Sequence, residues 1–259
     1  MPKFAANLSM LFTELPFLER FKAASESGFQ SVEYLFPYEW DPHILATQLK
    51  QHQLQQVLFN LPPGNWDQGE RGIACLPDRI NEFKEGVDDA IEYANILGVK
   101  QLNCLSGLVP IDGDQATLWQ TLVNNITYAA KRLNEHGITL LIEPINSKVD
   151  MPGFFIDTLD KALRIIKNVN LSNVKVQFDI YHMQIMQGDI LHSLENNLHY
   201  IQHIQFADCP GRHEPGTGEL NFHNIFRYLD RINYSGWISA EYIPKSNTQR
   251  SLDWFHQQV

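Results

Sequence analysis

Four polar side chains interrupt otherwise apolar runs in the second half of the chain. They are Glu143 in Leu140-Leu141-Ile142-Glu143-Pro144, Asp179 in Val176-Gln177-Phe178-Asp179-Ile180, Gln205 in His203-Ile204-Gln205-Phe206-Ala207, and Glu241 in Ile238-Ser239-Ala240-Glu241-Tyr242. Each stands toward the C-terminal end of its run. Three carboxylates and an amide oxygen make a hard-oxygen donor set, suited to Mg2+ or Mn2+ with waters or substrate completing an octahedron. Zinc, which favours nitrogen and sulfur donors, suits it less. Taken singly, any of the four reads as a loop cap or an arginine partner. Four at equivalent positions of successive runs favour a shared cation, because carboxylates gathered in a dry interior repel one another and lose their hydration.

Other polar groups lie close in sequence. His182 follows Asp179 by three residues, and Arg212 follows Gln205 by seven. A histidine there donates to a substrate oxygen or exchanges a proton with it, or else it is hydrogen-bonded at a strand end. Arg212 offers a planar fork to a substrate anion, or stands as a solvated loop cation. Glu70 and Arg71 are candidates for a lid over the substrate, Trp66 for covering it or anchoring the loop, and Glu219 for holding its own loop.

Such side chains need a frame. Short apolar runs rich in β-formers recur at 4–10, 31–36, 55–62, 100–107, 139–146, 174–182, 201–208 and 236–243. Helical stretches fall between them: 16–27 closed by Gly28, one opened by Asp41-Pro42, 82–97 closed by Gly98, 114–136 closed by Gly137, 157–169 from an acidic cap, and 221–232. Proline at the start and glycine past the end are the expected punctuation. Eight strands alternating with helices predict an α/β fold, a (β/α)8 TIM barrel, for which about 250 residues is usual. The alternative, an open doubly wound sheet, calls for a glycine-rich phosphate turn after the first strand. Met10-Leu11-Phe12-Thr13-Glu14 has no glycine. Residues 1–259 are expected to form a single TIM-barrel domain, with the active site at the C-terminal ends of the strands.

Strand parity then orients the polar set. Alternate residues of a strand face opposite sides. Val176 and Phe178 oppose Gln177 and Asp179; Ile204 and Phe206 oppose His203 and Gln205; Ile238 and Ala240 oppose Ser239 and Glu241; Leu140 and Ile142 oppose Glu143. The apolar faces must meet the helices, so the polar faces point into the barrel. The two longest loops, 62–78 and 209–219, follow the third and seventh strands and so lie on the same face as the site.

Composition removes several classes. With 259 residues, 44% hydrophobic and 19% charged, the chain is ordinary globular material. No apolar run approaches the roughly 18 residues of a membrane span, and the N-terminus lacks a secretory pattern. A net charge of −10 argues against nucleic acid and anionic membranes as partners. Cys75, Cys104 and Cys209 form no CxxC pair and read as reduced thiols of a cytoplasmic protein. The sequence leaves room for a homo-oligomer.

Longer strings carry a family likeness: 4–10 (FAANLSM), 32–38 (VEYLFPY), 69–75 (GERGIAC), 141–146 (LIEPIN), 179–184 (DIYHMQ) and 214–219 (EPGTGE). Over nearly its whole length the chain resembles the hydroxypyruvate isomerase family, within the xylose-isomerase-like TIM-barrel superfamily. The resemblance implies catalysis by two glutamates, matching Glu143 and Glu241, and a divalent metal on Glu143, Asp179, Gln205 and Glu241. Related sugar epimerases usually carry histidine where Gln205 stands. It also implies interconversion of hydroxypyruvate and 2-hydroxy-3-oxopropanoate, a shift of one proton between adjacent carbons through an enediolate. The substrate is then a small 2-keto acid. Arg212 is the first candidate for its carboxylate, followed by Arg71 and Lys245, with His182 and Glu70 as further substrate contacts. Isomerases of larger keto acids such as 2-oxo-tetronate, sugar 3-epimerases and a metal-dependent dehydratase would use the same scaffold. A zinc-dependent apurinic endonuclease would need a histidine-rich site and a basic groove. A non-catalytic binding barrel would have no use for two glutamates at one metal.

Overall fold

The computed structural model describes residues 2–256. Eight parallel strands close into a barrel in chain order: Lys3–Asn7 (β1), Ser31–Glu33 (β2), Gln55–Asn60 (β3), Gln101–Cys104 (β4), Thr139–Ile142 (β5), Val174–Asp179 (β6), Ile201–Phe206 (β7) and Trp237–Ala240 (β8). Pairing of Phe4 with Ile238 and of Ala6 with Ala240 joins β1 to β8 and completes the ring. The major helices are Phe17–Glu26 (α1), Pro42–Gln51 (α2), Ile80–Leu97 (α3), Gln115–Asn134 (α4), Leu159–Val169 (α5), Ile180–Met186 (α6), Ile190–Asn197 (α7) and Phe222–Arg231 (α8). Two single turns follow, Thr248–Ser251 (α9) and Asp253–His256 (α10). Among the described residues no helix is long and apolar enough to cross a membrane.

All eight expected strands are present, but each ends earlier than its apolar run. β5 stops before Glu143-Pro144, since proline has no N–H to continue a ladder. β6 stops at Asp179, whose Oδ1 accepts the backbone N–H groups of Tyr181 at 2.7 Å and His182 at 3.4 Å. That cap starts α6, so residues 180–182, expected as strand, are the first turn of a helix. The cap of α5 is Thr158, one residue later than expected; Asp157 instead holds Ser147 Oγ and Lys161 Nζ, each at 2.7 Å. The helices α7, α9 and α10 had no counterpart among the expected elements.

The main core lies outside the barrel, between strands and helices. Phe206 and Phe4 pack edge-on to Trp254, at 5.0 and 5.2 Å between ring centroids, and tie β7 and β1 to α10. Inside the barrel the apolar packing is small: Ala5, Val57, Leu58 and Leu141 form a separate cluster. Above it the lumen is polar. The Glu33 carboxylate on β2 meets His203 of β7 at 2.7 Å, a contact that crosses the barrel. All three cysteines are buried free thiols.

Candidate active site

Parity and register bring the polar set together. Asp179 pairs with Gln205, and Gln205 with Ser239, across β6, β7 and β8. Glu143 and Glu241 stand one residue past the ends of β5 and β8. Glu143, Asp179, His182 and Glu241 each offer one donor atom, and these atoms all lie within 4.8 Å of one another. All four side chains are buried.

Each carboxylate is held differently. Glu143 Oε2 accepts from Asn103 Nδ2 at 2.9 Å. Glu241 Oε1 accepts from Asn7 Nδ2 at 2.9 Å and from Gln205 Nε2 at 3.0 Å, and its Oε2 takes Arg212 Nη2 at 2.6 Å. Asp179 spends Oδ1 on the α6 cap and leaves Oδ2 buried without a partner. Arg212 lies 3.9 Å from that oxygen and 5.3 Å from the Tyr181 ring centroid. Its backbone is left-handed, φ 56°, and its carbonyl accepts from Ile243 N at 2.8 Å, which aims the side chain into the cluster.

Residues 21–258 match the family model described as Xylose isomerase-like TIM barrel. The 2-oxo-tetronate isomerase of Cupriavidus necator is 45% identical over 98% of this chain and 97% of its own. The hydroxypyruvate isomerase of Escherichia coli is 46% identical over 98% of each chain. A crystal structure from Brucella melitensis, described as an AP endonuclease of family 2, shares 47% identity over 99% of each chain, with a TM-score of 0.97. The chain belongs to the xylose isomerase-like TIM barrel family.

In this xylose isomerase-like barrel the electrostatics of the cluster run one way. Burial, then the neighbouring Glu241 and Asp179, push the Glu143 carboxyl well above the usual range. Burial raises Asp179 to about 6 and Glu241 to about 8, with Arg212 opposing both shifts. Burial and Arg212 hold His182 well below its ordinary value. Burial alone would lower Arg212, but Glu241 and Asp179 outweigh it and raise the guanidinium. Ionising all three acids leaves negative charge in excess of the single arginine. A divalent cation fits such a place, and the partnerless Asp179 Oδ2 is an oxygen free to ligate it.

Gln205 is turned differently from a ligand. Its Oε1 accepts from Gln177 Nε2 at 2.6 Å, while its Nε2 bridges Glu241 and, at 2.7 Å, Glu33 Oε1. Glu70 and Arg71 make their hydrogen bonds within the loop after β3. Glu70 pairs with Arg79 at 2.6 Å and accepts from Asn65 N. Arg71 stacks over Trp66 at 4.0 Å and donates to the Trp66 and Glu70 carbonyls. Glu219 accepts from Gln184 at 3.2 Å, and Lys245 N donates to Glu214 at 2.9 Å. The carboxylate cluster receives none of these contacts.

Four polar residues escaped the sequence reading. Glu33 is fully enclosed by His203, Asn7 and Gln205; burial would raise its carboxyl, but His203 and the two amides outweigh this and lower it. Parity held the signal, because Ser31 and Glu33 oppose Val32 on β2 just as Gln177 and Asp179 oppose Phe178. Asn7 ends β1, and Asn103 is the last but one residue of β4. Asn146 lies three residues after Glu143, in the irregular segment past β5, and touches His182 at 2.8 Å.

Proposed function

We propose that this protein is an aldose–ketose isomerase of small 2-keto acids, interconverting hydroxypyruvate and 2-hydroxy-3-oxopropanoate. One observation carries the reading: two buried glutamates from strands on either side of Asp179 converge on one cluster, with raised proton affinity and an arginine at its edge. The similarity to isomerases named for such acids supports it.

Conversion of hydroxypyruvate removes a proton from C3 and adds one at C2, while the hydroxyl proton passes from O3 to O2. In this reading one of Glu143 and Glu241 takes the C3 proton and the other returns a proton to C2. Burial raises the proton affinity of both, Glu241 to about 8, which suits groups that must take up and return a proton. Arg212 engages Glu241 through Nη2 alone, and its buried Nε has no partner, so it retains donors for the substrate carboxylate. His182 faces the cluster at 3.6 Å from Asp179 and 3.8 Å from Glu143, within reach of a substrate oxygen. Glu143, Asp179 and Glu241 would hold a divalent metal, Mg2+ or Mn2+ by donor chemistry, with Gln205 a fourth ligand once its amide turns. The metal would supply Lewis-acid stabilisation of charge developing on the two substrate oxygens.

The split among relatives favours a second reading, in which the substrate is 2-oxo-tetronate on the same residues. Endonuclease chemistry is disfavoured by the net charge of −10 and by a cluster with one histidine among the described residues.

The test is an assay on chelator-stripped protein, with and without Mg2+ or Mn2+, following 2-hydroxy-3-oxopropanoate from hydroxypyruvate with its reductase and NADH, and the isomerisation of four-carbon keto acids directly by 1H NMR. Metal-dependent turnover of hydroxypyruvate, faster than of four-carbon keto acids, supports the first reading. Turnover of 2-oxo-tetronate alone moves the conclusion to the second. Silence on both overturns the isomerase.

A further inference from the structure

The least used polar group around the cluster is Asn146, and its hydrogen bonds leave it no freedom. Its Oδ1 accepts two backbone N–H groups, from Val149 at 3.0 Å and Asp150 at 2.9 Å. An amide so held cannot exchange its ends, because flipping would point NH2 at two N–H donors. Its Nδ2 therefore faces outward, donating to Asp150 Oδ2 and, at 2.8 Å, to His182 Nδ1. Asn146 is itself fully buried, as is His182.

An NH2 group has no lone pair to offer. A proton on His182 Nδ1 would meet a donor at 2.8 Å. The Asp150 carboxylate is the other acceptor near Nδ1, at 3.9 Å, outside hydrogen-bond reach, and its Oδ2 is already taken by Asn146. Nδ1 is thus the bare nitrogen and Nε2 carries the hydrogen. Nε2 is the atom that points into the cluster, 3.6 Å from Asp179 Oδ2 and 3.8 Å from Glu143 Oε1. A protonated ring nitrogen cannot ligate a metal, but it can donate to an oxygen.

We propose that Asn146 is a positioning residue: it fixes His182 as the Nε2–H tautomer, making His182 a hydrogen-bond donor to a substrate oxygen and withholding it from the metal. Asp179, Glu143 and Glu241 are then the ligands of the four clustered groups. The catalytic part of this inference rests on the isomerase reading; the tautomer does not.

The experiment is 15N NMR of protein labelled at histidine, with the His182 signals assigned by their loss in His182→Asn. The wild type should show Nδ1 at an unprotonated shift and Nε2 at a protonated one, and saturating Mg2+ should leave that pattern in place. An Nδ1–H pattern, or loss of the Nε2 proton on adding Mg2+, overturns the proposal whatever the activity. Asn146→Asp puts a carboxylate opposite Nδ1 and should reverse the tautomer. In the isomerase assay the same variant should lose about 10²-fold in kcat, the usual effect of one transition-state donor, with KM changed far less. An unaltered tautomer in a folded Asn146→Asp would overturn the assignment. A reversed tautomer with full isomerase activity would overturn the donor role alone. Silence of the wild type in the assay, with the expected spectrum, would fault the isomerase reading and spare the tautomer.

Discussion

Stripping the metal should make stability fall as pH rises, and the site fixes the size of the fall. Asp179 is raised from 3.8 to about 6 by burial, with Glu241 and Glu143 pushed the same way. Because the folded values exceed the unfolded ones, the folded site binds more protons between them. The contribution is complete below the unfolded values and is lost as pH climbs through the folded ones. For Asp179 alone a shift of roughly 2 units amounts to about 3 kcal/mol. The three acids share one set of charges, so their shifts do not add. A divalent cation removes the cost of ionising them. In a chain of this length about 3 kcal/mol corresponds to about 6–12 °C in Tm. Calorimetry of chelated and Mn2+-saturated protein at about pH 5 and about pH 8 measures it, since groups elsewhere cancel in the difference. Because about pH 5 already lies above the unfolded Asp179 value, about half of that contribution, about 1.4 kcal/mol, remains to be lost, and the Tm gap between loaded and stripped protein should widen by about 3–6 °C from the lower pH to the higher on account of Asp179. A gap that stays constant or narrows would refute the reasoning that these carboxylates are the cation's seat.

Four further outcomes are expected. Glu143→Gln and Glu241→Gln should each lower kcat by about 10²–10⁴ with KM within a few-fold; steady-state kinetics near wild type at either position would remove it from the chemistry. Arg212→Lys keeps the charge but loses the fork, and should raise KM for the keto acid about tenfold, the worth of one charge-assisted hydrogen bond. Glu33→Gln leaves His203 facing a neutral group in the barrel and should cost about 3 kcal/mol in chemical denaturation, where an unchanged midpoint would show the pair to be idle. Gly72→Ala would place a Cβ 2.4 Å from the Leu105 carbonyl oxygen at φ 104°, so the loop after β3 should open to limited proteolysis.

Much of this architecture was legible because period and parity are local. Alternation around Asp179, Gln205 and Glu241 is enough to turn those side chains inward, and single glycines, Gly98 and Gly137, mark the helix stops. What escaped depended on partners distant in sequence. Ile180-Tyr181-His182 has the composition of a strand, and only the Asp179 carboxylate, capping two backbone N–H groups, turns it into a helix. Parity turns Glu33 inward with Ser31, but what it does there comes from His203, 170 residues away. Glu70 and Arg71 look functional by charge, yet Arg79 and the Trp66 ring hold them within their own loop. Asn146 falls at the end of the 139–146 run and lies past the strand, and its contact with His182 is visible only when α6 brings the two together.

The amide of Gln205 has a consequence for how the barrel carries its own negative charge. By lending its NH2 to Glu33 and Glu241 while Arg212 covers the other oxygen of Glu241, it acts as a place-holder for positive charge. The acids at the head of the barrel are thus bridged to one another by groups of the chain itself. A cation seated among these acids would meet groups already in place, and the Gln205 amide would have to turn before its oxygen could face the ion.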